Sequence, residues 1–366
     1  MINKYMSMFV KDEKNALAAM AKPKKRVLTP SPSLNWSLRV DHGHSTCIYG
    51  PEGSGKSLLS MIYTGSMMQA DPMACAVLIT TEMRVPTPER LITLGIDPER
   101  LLIRQANTLH DVFDWVTSKD EKFVNSDGTK GGPGLLYALE EGFNCKALIV
   151  DSIKGISGPR EQNADSVEKE IMGDLSKFLN PALRGILPVI RKYDLMTILV
   201  QQVSMNMNPD EVKYQNKKWI VPSGQALKHF CETMALCERV ESKDSKLFDP
   251  TMQSIRELPV QVGHTVRVKV EKDNLGNPFR EAQFRINYDK GIVDIGLEVA
   301  TLAANLGVVK HPVNVETGKE IIAQWVFQTR KWIGFANFVA ECEKDPDLVQ
   351  SIMKAIENQH SDKETK

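Results

Sequence analysis

Gly50-Pro51-Glu52-Gly53-Ser54-Gly55-Lys56-Ser57 is the stretch that decides the reading of this chain. It satisfies G-x-x-x-x-G-K-[ST] in full, and its flanks supply the context the pattern needs. Thr46-Cys47-Ile48-Tyr49 before it is an apolar run of strand type, and residues 58–69 after it read as a helix. The physics of such a loop is specific. Glycines let the backbone curl until its N–H groups converge on phosphate oxygens. The N-terminus of the following helix adds partial positive charge. Lys56 has the reach for β- and γ-phosphates, and the Ser57 hydroxyl stands where Mg²⁺ would be ligated. The eight residues, with Leu58 at the opening of the helix, are the candidate nucleotide contacts. A chance Gly-rich turn lacks both flanks.

Outward from the loop, residues 74–80, 147–150 and 196–200 are further apolar runs of strand length. Helical stretches lie between them, notably 167–177 and 182–192. This alternation predicts an α/β fold with a mostly parallel sheet and polar chemistry at the strand ends. Asp151 ends one run, where a carboxylate can join a magnesium shell and Ser152 can support it. Glu82 lies just past the strand that follows the P-loop helix. A carboxylate there can polarise an attacking water, although a solvated loop Glu would stand in the same place. Gln201 and Gln202 end the next strand, and strand alternation sends only one of them inward to sense a γ-phosphate.

The composition agrees with a globular chain. Of 366 residues, 42% are hydrophobic and 25% charged, so two or three domains, or one large core with appendages, are expected. The 46 basic and 46 acidic residues cancel. Neutrality counts against a generic polycation that holds nucleic acid by bulk attraction, and leaves a local groove open. The start, MINKYMSMFVKDEKNAL, has charges breaking every apolar run, which is unlike a signal peptide. No apolar stretch approaches the roughly 20 residues of a membrane span, so no membrane partner is expected and the protein reads as cytoplasmic. Cys47, Cys75, Cys145, Cys231, Cys237 and Cys342 include no C-x-x-C pair and no zinc-finger spacing. They read as reduced, mostly buried thiols.

Residues 1–21 have the pattern of a short amphipathic helix, with Tyr5, Met8, Phe9, Ala16 and Met20 on one side. A basic, Pro-containing linker, 22–32, joins it to the rest. Such a helix suits docking on a neighbouring subunit, and a frayed end fits equally well. Residues 118–134 read as a polar surface insertion, and 203–223 lack clear periodicity. A strand pair, 264–271 and 281–288, is joined by Asp273-Asn274-Leu275-Gly276-Asn277-Pro278, strong turn chemistry. Residues 295–358 read as a small mixed module ending in helices. The organisation expected is therefore 1–32, N-terminal oligomerisation helix and linker; 33–292, the core; and 293–366, a small C-terminal domain and tail.

With these segments in this order, the chain resembles the RecA/Rad51 recombinase superfamily. GPEGSGKS resembles the P-loop of RecA type, and ALIVDSIKGI resembles its strand ending in Asp-Ser. ILVQQV, a long loop and then SGQALKHF resemble the strand, second DNA loop and return element. RVKVEKDNLGNPFREAQFRINYDKGI is the strongest match and resembles the strand pair before the C-terminal domain. IGFANFVAECEKDPDLVQSIMKAIE resembles the end of that domain, and TPERLITLGIDPERL resembles phage recombinases of the UvsX type. The resemblance covers about residues 33–357.

The resemblance implies a RecA-like P-loop NTPase core, a mostly parallel sheet flanked by helices, with a short N-terminal helix and a small mixed C-terminal domain. It implies ATP and Mg²⁺ as cofactors, single- and double-stranded DNA as partners, and a homo-oligomeric helical filament. It further implies DNA-dependent ATP hydrolysis, homologous pairing and strand exchange in recombination and repair. Single-strand-binding and mediator proteins would assist, in a bacterial nucleoid or a phage-infected cytoplasm. Residue by residue, Lys56 and Ser57 take the P-loop roles, Asp151 the magnesium role, and Glu82 that of the catalytic base. Gln202 takes the role of γ-phosphate sensor. Lys272 corresponds to a lysine that reaches the ATP of the adjacent subunit, acting like an arginine finger in trans.

There are departures. A second trans lysine of the family falls on Asn274. The adenine-stacking aromatic falls on Arg90, whose guanidinium plane can also stack. An interfacial Phe falls on His229 or Phe230. The first DNA loop maps to 157–173, where Arg160 and Lys169 are outnumbered by Glu161, Asp165, Glu168 and Glu170. The second maps to 203–223 and sets Lys213, Lys217 and Lys218 against Asp210 and Glu211. It also offers Met205, Met207, Tyr214 and Trp219, a mixture that suits single strands. A hexameric helicase-like motor on the same fold stays open. So does a RecA-like structural or regulatory filament protein with weak turnover, which Asn274 and the acidic first loop motivate.

Overall fold

Apolar runs without polar alternation belong in sheets covered on both faces, and the core strands obey this. The computed structural model describes residues 24–82, 86–157, 174–215, 218–222, 224–253, 259–314 and 317–364. β1 (Ser45–Gly50) is buried throughout. β2 (Cys75–Thr80), β4 (Cys145–Asp151) and β5 (Met196–Gln202) are buried along nearly all their length, while β3 (Leu101–Gln105) forms a more open edge. These five run parallel in the order β3-β2-β4-β5-β1. A short antiparallel pair, β6 (Ser204–Met205) with β7 (Trp219–Ile220), follows β5. β8 (Thr233–Arg239) then adds to the free side of β1, again in parallel.

Beyond β8 the sheet turns antiparallel. β9 (Lys246–Gln253) pairs with β10 (Pro259–Asp273), which also pairs with β8 and β11 (Glu281–Asn287), and β12 (Gly291–Val293) closes that edge. The chain leaves β1 and re-enters at β2 with β5 and β4 between them. The crevice outside the carboxyl ends of these strands is where open α/β sheets bind ligands.

Strand alternation sorts the core into two layers. Ile48 faces the helix Lys56–Ala70, among Leu59, Ile62, Tyr63 and Met67. Cys47 and Tyr49 face the opposite layer with Phe113, Trp115, Leu183, Ile186 and Leu227. All six cysteines are free thiols, five of them buried. Among the described residues, no helix is long and apolar enough to cross a membrane.

The structure departs from the sequence expectations in places with clear physical causes. The helix expected over 182–192 begins at Asp174 and runs through Pro181 and Pro188 to Lys192. An interior proline costs roughly 3 kcal/mol, but Leu179, Leu183, Ile186 and Ile190 recur at helical spacing and are all fully buried. The part of the expected 167–177 helix before residue 174 lies outside the described residues, as does the amphipathic pattern over 1–21. The segment expected as a linker packs on the core from residue 24 onward, with Val27, Thr29 and Ser31 buried. Residues 203–223 hold the β6–β7 ladder and a short helix, Pro209–Gln215, where no periodicity was legible. The insertion 118–134 is pinned by Arg104, which donates to the Gly131 carbonyl (2.9 Å) and lies over the Trp115 ring (4.7 Å).

A third core lies in residues 295–356. The helices Ile295–Asn305, Phe335–Lys344 and Pro346–Glu364, with the hairpin β13 (Gln324–Phe327) and β14 (Arg330–Ile333), enclose Val299, Trp332, Phe338 and Ile352. One buried carboxyl ties this module to the N-terminal segment. Glu298 Oε1 accepts from Ser31 Oγ and from the Ser33 N–H, each at 2.6 Å. Burial raises its pKa from 4.5 to about 7, against the lowering by the two serines. A raised carboxyl pKa means that the folded state prefers the protonated form. Stability present in full below pH 4.5 is then lost as the pH rises to about 7. The wild type should lose on the order of 1–3 kcal/mol more than Glu298→Gln between pH 5 and pH 8. Denaturant melts at the two pH values test this, and parallel losses in both proteins would refute it.

Candidate active site

The P-loop leaves β1 where the sheet is most crowded. A Cβ on Gly50 would lie 1.9 Å from the Cys237 carbonyl oxygen of β8, so only glycine lets the two strands approach there. Gly55 has φ of 97° and caps the helix Lys56–Ala70 in a left-handed conformation. Lys56 is folded into this cradle. Its Nζ donates to the Pro51 carbonyl at 2.6 Å and lies 3.4 Å from Ser54 Oγ. Burial pulls its pKa down, while Cys237, Asp151, Glu52 and Glu82 pull the other way. A polyanion in the cradle would supply what this buried ammonium lacks.

Parallel register brings the other candidates to the same end. Gly50 pairs with Gln202, and Asp151 pairs with Thr80, two residues before Glu82. The Asp151–Ser152 peptide is cis. Asp151 has a raised pKa, from burial first and then from the neighbouring Glu82 charge, with the Ser57 hydrogen bond and Lys56 opposing. The two candidate magnesium ligands, Ser57 and Asp151, are thus neighbours in the cleft. This hydroxyl and carboxylate beside a buried lysine are the donor set that a hard cation on a phosphate chain needs.

Strand alternation separates the two glutamines. Gln202 Nε2 donates to Glu82 Oε1 at 2.9 Å across the mouth of the cleft. Gln201 points to the other face, fully buried, and its amide donates to the Pro222 carbonyl at 2.8 Å, at the exit of the second loop. The cleft has a volume of about 430 Å³ and is lined by Glu52, Gly53, Gly55, Lys56, Ser57 and Leu58 of the loop, with Glu82, Arg90, Asp151 and Gln202. That size suits a nucleotide. Gly50, Pro51 and Ser54, also expected as nucleotide contacts, are not among the lining residues. His264, Ile286 and Tyr288 complete the wall. The sequence reading missed His264 and Tyr288 as site residues. The expected strand pair, 264–271 and 281–288, contains both, but nothing in it said that the pair lines the P-loop cleft.

Lys272 is not in this cleft. It pairs with Met234 near the start of β8, at the far end of the sheet from the P-loop. Its Nζ donates to the carbonyls of Lys228 (2.7 Å) and Cys231 (2.5 Å), capping the helix Gly224–Phe230. On that helix His229 is exposed and Phe230 buried, so His229 is the one open to a partner.

In the second loop Met205 and Met207 are 61% and 84% exposed and Tyr214 is 75% exposed, an unusual display of large side chains. Lys213 lies over the Tyr214 ring (5.3 Å) and Lys218 over the Trp219 ring (4.9 Å). Trp219 is anchored, its Nε1 donating to Glu238 Oε1 at 2.6 Å. Arg160 and Lys217 lie outside the described residues.

Strand order, P-loop and acidic strand end define a P-loop NTPase of the α/β class. Residues 135–293 match the model of the RecA N-terminal domain. RecA of Brucella canis and RecA of Brucella abortus are each 28% identical over 287 residues, 78% of this chain and 68% of theirs. A Brucella suis RecA is 27% identical over the same length. By these matches and by its α/β core the chain is similar to the RecA/Rad51 recombinases.

Lys56→Ala should abolish ATP turnover. Glu82→Gln should retain nucleotide binding while slowing hydrolysis by about 10²-fold or more. Phosphate-release assays paired with fluorescent-nucleotide titration read both. Retained turnover in the first variant, or lost binding in the second, would overturn the assignment.

Proposed function

We propose that this chain is an ATP-dependent recombinase that polymerises on single-stranded DNA as a helical filament and pairs it with homologous duplex. The observation that carries the proposal is the contact between Gln202 and Glu82, because the chain runs directly from Gln202 into the β6–β7 element. One residue thus senses the phosphate end of the cleft and begins the candidate DNA loop.

Lys56, Ser57 and Asp151 would hold the phosphates and magnesium, which when bound offsets charge developing on the transferred phosphoryl group. Glu82 orients and deprotonates water. Arg90 stacks on the base. Lys272 acts across a subunit boundary, in keeping with its distance from its own cleft, and Asn274 beside it leaves that boundary with one cation fewer than the family pattern. The DNA side is met by Lys213, Lys217 and Lys218 with Met205, Met207, Tyr214 and Trp219, joined by Arg160 of the first loop. Phosphates are held by cations and base faces by apolar and aromatic groups. Base pairing with the duplex reads the sequence, so no base-reading helix is needed. Single-strand-binding and mediator proteins would govern loading, and the stretch 87–101 favours a phage source of the UvsX type.

Negative-stain microscopy with a slowly hydrolysed ATP analogue, with and without single-stranded DNA, tests this. DNA-dependent helical filaments are expected. Closed rings would replace the proposal with a helicase-like motor, and polymers indifferent to DNA would replace it with a structural filament protein.

A further inference from the structure

His264 sits on β10, 2% exposed, between the cleft wall and the P-loop. Its backbone is held closely: a Cβ on the preceding Gly263 would lie 2.1 Å from the Ile286 carbonyl oxygen. The hydrogen-bond directions around it follow from the donors available. Gln261 Nε2 donates to the Tyr288 hydroxyl at 3.0 Å, which leaves that hydroxyl's proton for His264 Nδ1, 3.2 Å away. A ring that accepts at Nδ1 carries its proton on Nε2. Nε2 is buried and closes no hydrogen bond, and the ring neighbours the Ser54 backbone of the P-loop. The Ser54 carbonyl already accepts weakly from Cys237 Sγ at 3.3 Å.

We propose that neutral His264 is a positioning residue that ties Tyr288, on the nucleoside side of the cleft, to the P-loop through Ser54. The proposal rests on the phosphate site described above and extends it to the nucleoside. The order Gln261, Tyr288, His264, Ser54 is directional, each group donating to the next. The last link is open and closes when the loop tightens on phosphate, as bonds in empty sites commonly do. The relay works only with a neutral ring, since an imidazolium cannot accept from Tyr288. Burial first, and then the charge of Arg239, hold the imidazole below its ordinary pKa of 6.5. The link is therefore intact above that value and is lost as the pH falls through the depressed pKa.

Steady-state ATPase kinetics on the full chain test it, with DNA saturating and folding followed by thermal melts. His264→Phe keeps the ring and removes both nitrogens. Tyr288→Phe removes only a hydroxyl from a half-buried ring and serves if the first variant folds poorly. Each should lower kcat/KM about five- to tenfold, carried by KM for ATP, the worth of one buried hydrogen bond. The double variant should be no worse than the larger single. KM of the wild type should rise below pH 6.5, and that of His264→Phe should not. Additive losses, or the same pH profile of KM in both proteins, would overturn the relay. If Lys56→Ala keeps turnover, the phosphate site itself is wrong. If Lys56→Ala is dead while His264→Phe has the wild-type KM, only the relay fails.

Discussion

Parallel pairing of β1 between β5 and β8 is the constraint on which the rest of the molecule depends. It fixes Gly50 opposite Gln202 on one side and presses the same residue against the Cys237 carbonyl on the other. A chain squeezed from both sides can leave the sheet only upward into the crevice, and it does so as the P-loop. Every other group of the candidate site is a strand end at that level or a residue just beyond one. Asp151 and Gln202 end β4 and β5, and Glu82 follows β2. The register that places one carboxylate places them all, so the site is a property of the sheet more than of any loop.

Legibility in the sequence followed the same division. Segments with one strong local reason for their shape were readable. The P-loop glycines, the buried runs of β1, β2, β4 and β5, and the turn between β10 and β11 were found with nearly their observed limits. β3 and β8 escaped because Leu101–Gln105 and Thr233–Arg239 mix apolar and polar residues without alternation and are strands through their neighbours. The packed segment 24–31 read as a linker because its partner, Glu298, is 265 or more residues away. His264 and Tyr288 were invisible for the same reason. Alternation posed which of Gln201 and Gln202 faces the cleft, the family resemblance named Gln202, and Gln202 is the one that lines it.

Zero net charge acquires a physical meaning in this arrangement. Lys213 and Lys218 of the second loop sit against their own aromatic neighbours, a geometry that presents cation and ring as one surface. Elsewhere several basic residues are engaged locally, as Lys24 is by Asp194, and Arg330 by Glu341 and Asp345. In the proposed filament, affinity for DNA would rest on a few cations per copy. Such a surface is weak alone and strong when repeated along a polymer, because linked sites raise one another's effective concentration. Neutral flanks also let copies approach without strong self-repulsion.

The adjacent glutamines at the end of β5 give a physical route from the cleft to that surface. Gln202 holds the Glu82 carboxylate, and Gln201, one residue earlier and on the opposite face, holds the Pro222 carbonyl where the second loop returns. The entry and the exit of the loop are therefore fixed by neighbouring residues of a single strand. In the proposed recombinase, exchange of Glu82 for a phosphate oxygen at Gln202 would act on the strand end that Gln201 shares. Gln201 is fully buried with one amide oxygen unpaired, so it has no solvent into which to relax. Any such change would reach Pro222 through the Gln201 amide, and through Pro222 the β7 strand, which Trp219 anchors on Glu238. Such coupling would need no long pathway, because a single peptide bond joins the residue that touches Glu82 to the one that holds Pro222.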